Sequence, residues 1–251
     1  MIFSAFSKVN FSSKAITLIN GFKTSKTVFV TDGLLANEYS KNFEGLVNKM
    51  QQLNFDLAEQ NKSYSFEEIE AIKEKYTEGF DYYLYHINTT SKSYVLTVLK
   101  AFSQLKKWQK TSLKLLLIFE NDIDEKLLPD FKNYKYKNEV VIIKESTENK
   151  LSLKAASFSY IFLGEYNYKQ NVYDAMQYNV PVIAADTNDN HLLFQQSVIY
   201  ASLTVEGLAQ QLQNIYKDEL CRKKQLQNAN QFLANFDNQI NAQNFIDVIS
   251  N

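Results

Sequence analysis

The chain is short of glycine and proline and almost without cysteine. Of its 251 residues, 6 are Gly and 2 are Pro, against about 7% and about 5% in an ordinary globular chain. Phosphate-binding turns use Gly so that backbone N–H groups can approach the anion. A chain with so few glycines keeps few such turns, and the absence of a G-x-G-x-x-G element argues against dinucleotide binding. The one cysteine, Cys221, excludes an internal disulfide, and its polar helical setting marks it as incidental rather than catalytic. The two histidines, His86 and His191, are far apart and remote from that thiol, so no zinc site is expected. Asp186 and Asp189 stand in a polar loop without calcium-loop spacing and read as a surface turn, with His191 solvated beside it. No charge sign dominates: the net charge is -1 and the pI about 6.2, which gives no pull toward nucleic acid or an anionic membrane. No run approaches the roughly 20 apolar residues of a membrane span, and the N-terminus lacks the basic start and apolar stretch of a signal peptide. The expectation is a cytoplasmic protein with no metal and no transmembrane segment.

What is present is core material: 45% hydrophobic residues, with 16 Tyr and 18 Phe. Thr27 to Thr31 reads as a short β-branched and aromatic run closing at Asp32-Gly33, and the three- and four-residue spacing of Leu35, Tyr39, Phe43, Leu46, Met50 and Leu53 predicts one helix from Leu34 to about Gln60. Asn61 to Tyr64 reads as a linker. Ser65 with Glu68 three residues later predicts a capping box opening a helix that stops near Gly79. Beyond it, apolar runs at 82–87, 113–119, 139–143, 160–163, 180–184 and 199–201 alternate with helical patterns at 95–107, 150–156, 171–178, 205–216, 219–232 and about 238–249. Strands apolar on both faces with helices between them predict an α/β, doubly wound parallel sheet. The predicted domains are a short α/β N-terminal region over 1–65 and a Rossmann-like domain over 66–251.

Several segments, in order, carry a resemblance. They are Tyr82-Tyr83-Leu84-Tyr85, Leu99-Lys100-Ala101-Phe102 and Leu113-Lys114-Leu115-Leu116-Leu117-Ile118. Further on come Asp174-Ala175-Met176 followed by Val180-Pro181-Val182-Ile183-Ala184, then Lys217-Asp218-Glu219-Leu220-Cys221-Arg222, and Asn235-Phe236-Asp237. From about Glu67 onward this pattern resembles the C-terminal, donor-binding domain of group 1 retaining glycosyltransferases of the GT-B fold. The resemblance implies a sugar nucleotide lying across the carboxyl ends of the parallel strands. Basic residues after the first strand would stabilise the leaving diphosphate, and a Glu-x7-Glu element would read sugar and ribose. It also implies an N-terminal acceptor domain larger than the stretch preceding Glu67, which reads as a truncated one.

The matching positions depart from the family at the donor site. Ile87 stands at the glycine after the first strand, and the expected strain of a β-branched residue there predicts a reshaped loop. The family's Arg-Lys pair falls on Lys92 and Ser93, leaving Lys92 as the candidate catalytic group, a point charge without the fork of Arg. Phe119 and Lys144 replace two further strand-end glycines. Tyr166 occupies the first Glu position, with Glu165 one residue early. Asn167 and Lys169 occupy the glycines of the following turn, and Asp174 keeps a carboxylate at the ribose-binding position. Asn179 replaces a glycine where Asn tolerates positive φ. The candidate donor-binding residues are therefore Asp174, Tyr166, Asn167, Glu165 and His86. Tyr166 and Tyr168 suit stacking on a base or sugar, and equally suit filling the space of a lost ligand.

Two functions follow. The first is a degenerate glycosyltransferase moving a hexose from a UDP- or GDP-linked donor, with no other cofactor, and with an acceptor domain supplied by a protein partner or a second copy. The alternative is a non-catalytic pseudo-glycosyltransferase that binds or scaffolds. An unrelated Rossmann-like binding domain is the remaining reading.

Overall fold

A computed structural model of the chain describes residues 27–30, 33–42, 47–52, 63–88, 91–120, 128–144, 150–164, 168–236, 243 and 246–247. The chain divides into two compact units, one of residues 1–58 with 234–251 and one of residues 59–233. The helix expected over about 238–249 falls mostly outside the described residues.

In the first unit, β1 (Val28–Val30) is followed by α1 (Gly33–Asn42), a 3-10 turn at Val47–Lys49 and β2 (Met50–Gln52). This corrects the single helix expected from Leu34 to Gln60. β2 pairs in parallel with β1, Val28 opposite Met50 and Val30 opposite Gln52. The Met-Gln-Gln run of β2 has no strand signature of its own. Its conformation comes from backbone hydrogen bonding to a neighbour far away in sequence, which overrides a weak local periodicity.

In the second unit, α2 (Phe66–Thr77) opens on the capping box that the sequence predicts. The Glu68 N–H donates to Ser65 Oγ at 3.2 Å, and the Ser65 N–H donates to Glu68 Oε2 at 2.9 Å. It closes on Glu78 and Gly79, both at positive φ (57° and 78°), the left-handed turn that commonly ends helices. Then follow β3 (Tyr82–Ile87), α3 (Val95–Trp108), β4 (Lys114–Phe119), α4 (Leu128–Asn133), β5 (Val140–Lys144), α5 (Lys150–Ala155) and β6 (Ser159–Phe162). After β6 come α6 (Lys169–Gln177), β7 (Val182–Ala185), α7 (Asn188–Phe194), β8 (Ile199–Ala201), α8 (Val205–Lys217) and α9 (Glu219–Ala234). The polar stretch read as a surface loop at Asp186 to Asn190 instead starts α7. Thr187 caps it, accepting from the Asn190 N–H at 3.3 Å, as a β-region Thr before a helix does.

The six strands of this unit are all parallel and lie in the order β5-β4-β3-β6-β7-β8. That is the doubly wound arrangement. Alternation along β3 shows both faces covered. Tyr83, Tyr85 and Ile87 join Val98, Leu99, Phe102 and Leu212 in one core cluster, while the Tyr82 hydroxyl donates to the Leu153 carbonyl of α5 at 2.7 Å. All three strand tyrosines are fully buried. Tyr83 donates to the Leu212 carbonyl at 2.7 Å and Tyr85 to the Ser91 carbonyl at 2.6 Å, so each buried hydroxyl is satisfied. Burial also pushes the pKa of each of them well above the ordinary phenol value. These tyrosines act as core residues that pin helices to the sheet.

Candidate functional site

A strand order that runs outward in both directions from a central pair leaves a crevice where the direction reverses, at the carboxyl ends of those strands. Here that point lies between β3 and β6. The backbone comes close there. A Cβ added to Gly164, just after β6, would lie 3.4 Å from Asn88 Nδ2 beyond β3 and 3.3 Å from the Phe162 ring. A glycine at this position lets the two strand ends approach.

On the β3 side the chain turns through a compact box of neutral hydrogen bonds. The Ser91 N–H donates to Asn88 Oδ1 at 2.8 Å, and the Asn88 N–H donates to Ser91 Oγ at 3.0 Å. The Ser91 hydroxyl donates to the His86 carbonyl at 3.2 Å. Asn88 and Ser91 are buried. Lys92 follows on a 3-10 turn (Ser91–Tyr94) that leads directly into α3, and it is exposed. This box directly follows Ile87, the position of the family glycine. Ile87 is the last residue of β3, buried in the core and paired with Phe119. Among the described residues the non-glycine positions with positive φ are Glu78, Asn179 and Gln195, so Ile87 avoids the strained conformation, as a reshaped chain path requires. The loop is instead closed by Asn88 and Ser91 side chains, which need no positive φ. At Asn179 the φ is 56°, the left-handed conformation anticipated for an Asn in a glycine's place.

The β6 side is ionic and buried. Asp174, on α6, is 5% exposed. Its Oδ2 accepts from Lys154 Nζ at 2.7 Å, and its Oδ1 accepts from Gln170 Nε2 at 2.9 Å. Lys154, on α5, is 1% exposed and also donates to Asn171 Oδ1 at 2.7 Å. The other end of that amide meets β3, with Asn171 Nδ2 3.2 Å from His86 Nδ1. Asn171 and His86 are each 5% exposed. One chain of contacts thus runs Gln170–Asp174–Lys154–Asn171–His86, from α6 through α5 to the strand at the switch point. A charge this deeply buried persists only when paired and hydrogen-bonded, and both partners of this pair are.

Of the sequence-derived candidates, the structure brings His86 and Asp174 into this one network and places Lys92 on the loop after β3. Glu165, Tyr166 and Asn167 lie outside the described residues. Tyr168 immediately precedes α6, its hydroxyl 3.5 Å from Glu120 Oε2 beyond β4, at the long limit of a hydrogen bond. Sequence reasoning missed Lys154 and Asn171. A lysine in a short helix reads as a solvated residue. The available signal was its place in Leu-Ser-Leu-Lys-Ala-Ala, an apolar run entering a buried strand. His191 lies outside the network and is not simply solvated. Its Nε2 is 2.7 Å from Asp186 Oδ1, and its ring stacks on Tyr200 with centroids 3.7 Å apart. Among the described residues no group of three or more His, Cys, Asp or Glu could hold a metal ion, and no helix is long and apolar enough to cross a membrane.

No protein-family model and no curated protein matches this sequence. Solved structures do match. The chain is similar to Anabaena HepE in complex with UDP and glucose, with a TM-score of 0.73 and 14% identity over 96% of this chain and 68% of that one. A glycosyltransferase from Rickettsia africae gives a TM-score of 0.69 and 14% identity over 97% and 67%. Staphylococcus aureus TarM, bound to UDP, gives 0.67 and 10% over 97% and 49%. The chain therefore spans about two thirds or less of the length of these proteins. At such identities the likeness is one of fold: an α/β, Rossmann-like parallel sheet of the kind seen in GT-B structures.

Proposed function

We propose that the second unit, residues 59–233, acts as a nucleotide-sugar-binding domain of the glycosyltransferase type, serving hexosyl transfer from a UDP- or GDP-linked donor. The observation that carries this reading is topological. The switch point between β3 and β6 has the loop bearing Lys92 on one side and α6 bearing Asp174 on the other. Those are the two places from which a diphosphate and a ribose would be held, and open α/β sheets bind ligands at such a point. UDP in the complexes of HepE and TarM supports the choice of ligand class. Lys92 would act as a point charge on the diphosphate, and Asp174 would accept from ribose hydroxyls with lone pairs not used by Lys154 and Gln170. Under this reading the acceptor side comes from a protein partner or a second copy.

A second reading has a specific observation in its favour. Asp174 is held by an internal lysine, and the strand-end glycines are replaced. A domain built so binds without turning over, as a pseudo-glycosyltransferase that scaffolds an active partner.

The test is calorimetric titration with UDP, GDP and their hexose conjugates, followed by an assay for nucleotide release from each conjugate. Saturable binding that weakens in Lys92→Ala, with nucleotide release above the uncatalysed rate, supports the transferase. Binding without release supports the scaffold. No binding at millimolar ligand sinks the donor-site reading.

A further inference from the structure

The buried network does more than neutralise Asp174, because each of its members has a fixed polarity. The Lys154 ammonium has donors only, so the Asn171 atom it meets must be the carbonyl oxygen. That choice turns the Asn171 amide nitrogen, which also has donors only, toward His86 Nδ1 at 3.2 Å. Nδ1 must then accept. In a neutral imidazole an accepting Nδ1 places the proton on Nε2. The orientation of an Asn amide is often ambiguous. Here the ammonium on one side removes the ambiguity, and the tautomer of His86 follows from charge rather than from ring geometry.

We propose that Lys154 and Asn171 are positioning residues of the donor site, with Lys154 fixing the Asp174 carboxylate and, through Asn171, holding His86 in its Nε2–H tautomer. Asp174 held in this way presents an acceptor on the α6 side, which suits the donating ribose hydroxyls of a nucleotide sugar. Partners that orient a ligand-contacting group in this way matter through the group they hold. This role in binding rests on the donor-site reading above; the tautomer assignment does not.

The experiment is 15N NMR of the histidine side chains in the full chain at about pH 8.5, well above the ordinary histidine value of about 6.5. With two histidines in the sequence, His191→Gln assigns the signals. The wild type is expected to show His86 with an unprotonated Nδ1 and a protonated Nε2, as a single tautomer. Asn171→Asp, which is nearly isosteric, replaces the amide donor with an acceptor and is expected to move the proton to Nδ1. Lys154→Met is expected to release the amide and give a mixture. A wild-type His86 protonated at Nδ1 or present as a mixture, or an unchanged tautomer in Asn171→Asp, overturns the relay, and neither result depends on Lys154→Met folding.

UDP titration is the second arm. Folded Asn171→Leu and Lys154→Met are expected to bind UDP roughly tenfold or more weakly than the wild type. Wild-type binding with unaffected variants overturns the positioning role alone. A wild type that binds neither UDP nor UDP-glucose overturns the donor-site reading and this role with it, even if the tautomer is as stated.

Discussion

The two walls of the switch-point crevice are held by different physics. The β3 wall is neutral and local. Its hydrogen bonds join residues three to six positions apart, Asn88 with Ser91 and Tyr85 with Ser91, and Lys92 beside them is exposed. The β6 wall is ionic and non-local. Lys154 reaches Asn171 and Asp174 across 17 and 20 residues of sequence, and all three are buried. The first wall can lose its charged side chain without disturbing the fold. In the second, the group best placed to read a ligand is also a strut, so a change there acts on stability first and on affinity through it.

The largest effect should come from breaking the ionic wall. Lys154→Met leaves the Asp174 carboxylate buried without its counter-charge, and is expected to lower the unfolding free energy by about 3–5 kcal/mol in urea denaturation. Replacing both partners, as Lys154→Met with Asp174→Leu, should recover much of that loss, because the desolvation of two charges goes with them. A single-variant loss below about 1 kcal/mol, the range of an exposed ion pair, would remove the contrast between the walls. Next comes the turn that returns α6 to the sheet. Asn179→Ala, at a φ of 56°, should cost about 1–2 kcal/mol in the same assay, whereas Asn179→Gly should be close to neutral; equal losses would show that the Asn179 side chain, which accepts from Asn230 Nδ2 at 3.1 Å, matters more than its backbone.

On the neutral wall, Tyr85→Phe removes one buried hydrogen bond and is expected to lower stability by about 1 kcal/mol. A loss as large as that of Lys154→Met would mean the β3 wall is the stiffer of the two. The smallest effect on stability belongs to Lys92→Ala, within about 0.5 kcal/mol of the wild type for an exposed side chain. Its expected effect is instead on UDP affinity, a loss of roughly tenfold for one charge-assisted contact, read by calorimetry. A Lys92→Ala variant that unfolds early while binding UDP normally would reverse the assignment of roles.

Legibility in the sequence follows the range of the interactions. β3 is continuous, aromatic and bounded by turn signals, and it is read to the residue. The Ser65–Glu68 box is legible because its partners are three residues apart. The helix expected from Leu34 to Gln60 fails where its second half depends on β1, a neighbour the periodicity could not reveal. At the site, Asp174 and His86 are visible as polar residues beside apolar strands, but their connection is not, since Lys154 and Asn171 look like ordinary helix residues until α5 and α6 are laid against β3. Ile87 at a family glycine position predicted a chain path reshaped to avoid strain, and the structure has Ile87 as the last residue of β3, where a β-branched residue fits the pleat.

The sequence by itself determined the parallel α/β class, because strands apolar on both faces must be covered by helices on both sides. It determined the capping of α2 and the tolerance of Asn179 for a left-handed turn, because those are properties of one residue and its immediate neighbours. Tertiary structure alone decided that Lys154 is buried, that its ammonium faces both Asp174 and Asn171, and that His86 receives the far end of that amide. Burial and charge pairing are relations between segments brought together by folding, and the network that joins these four side chains has no counterpart in any local stretch of the chain.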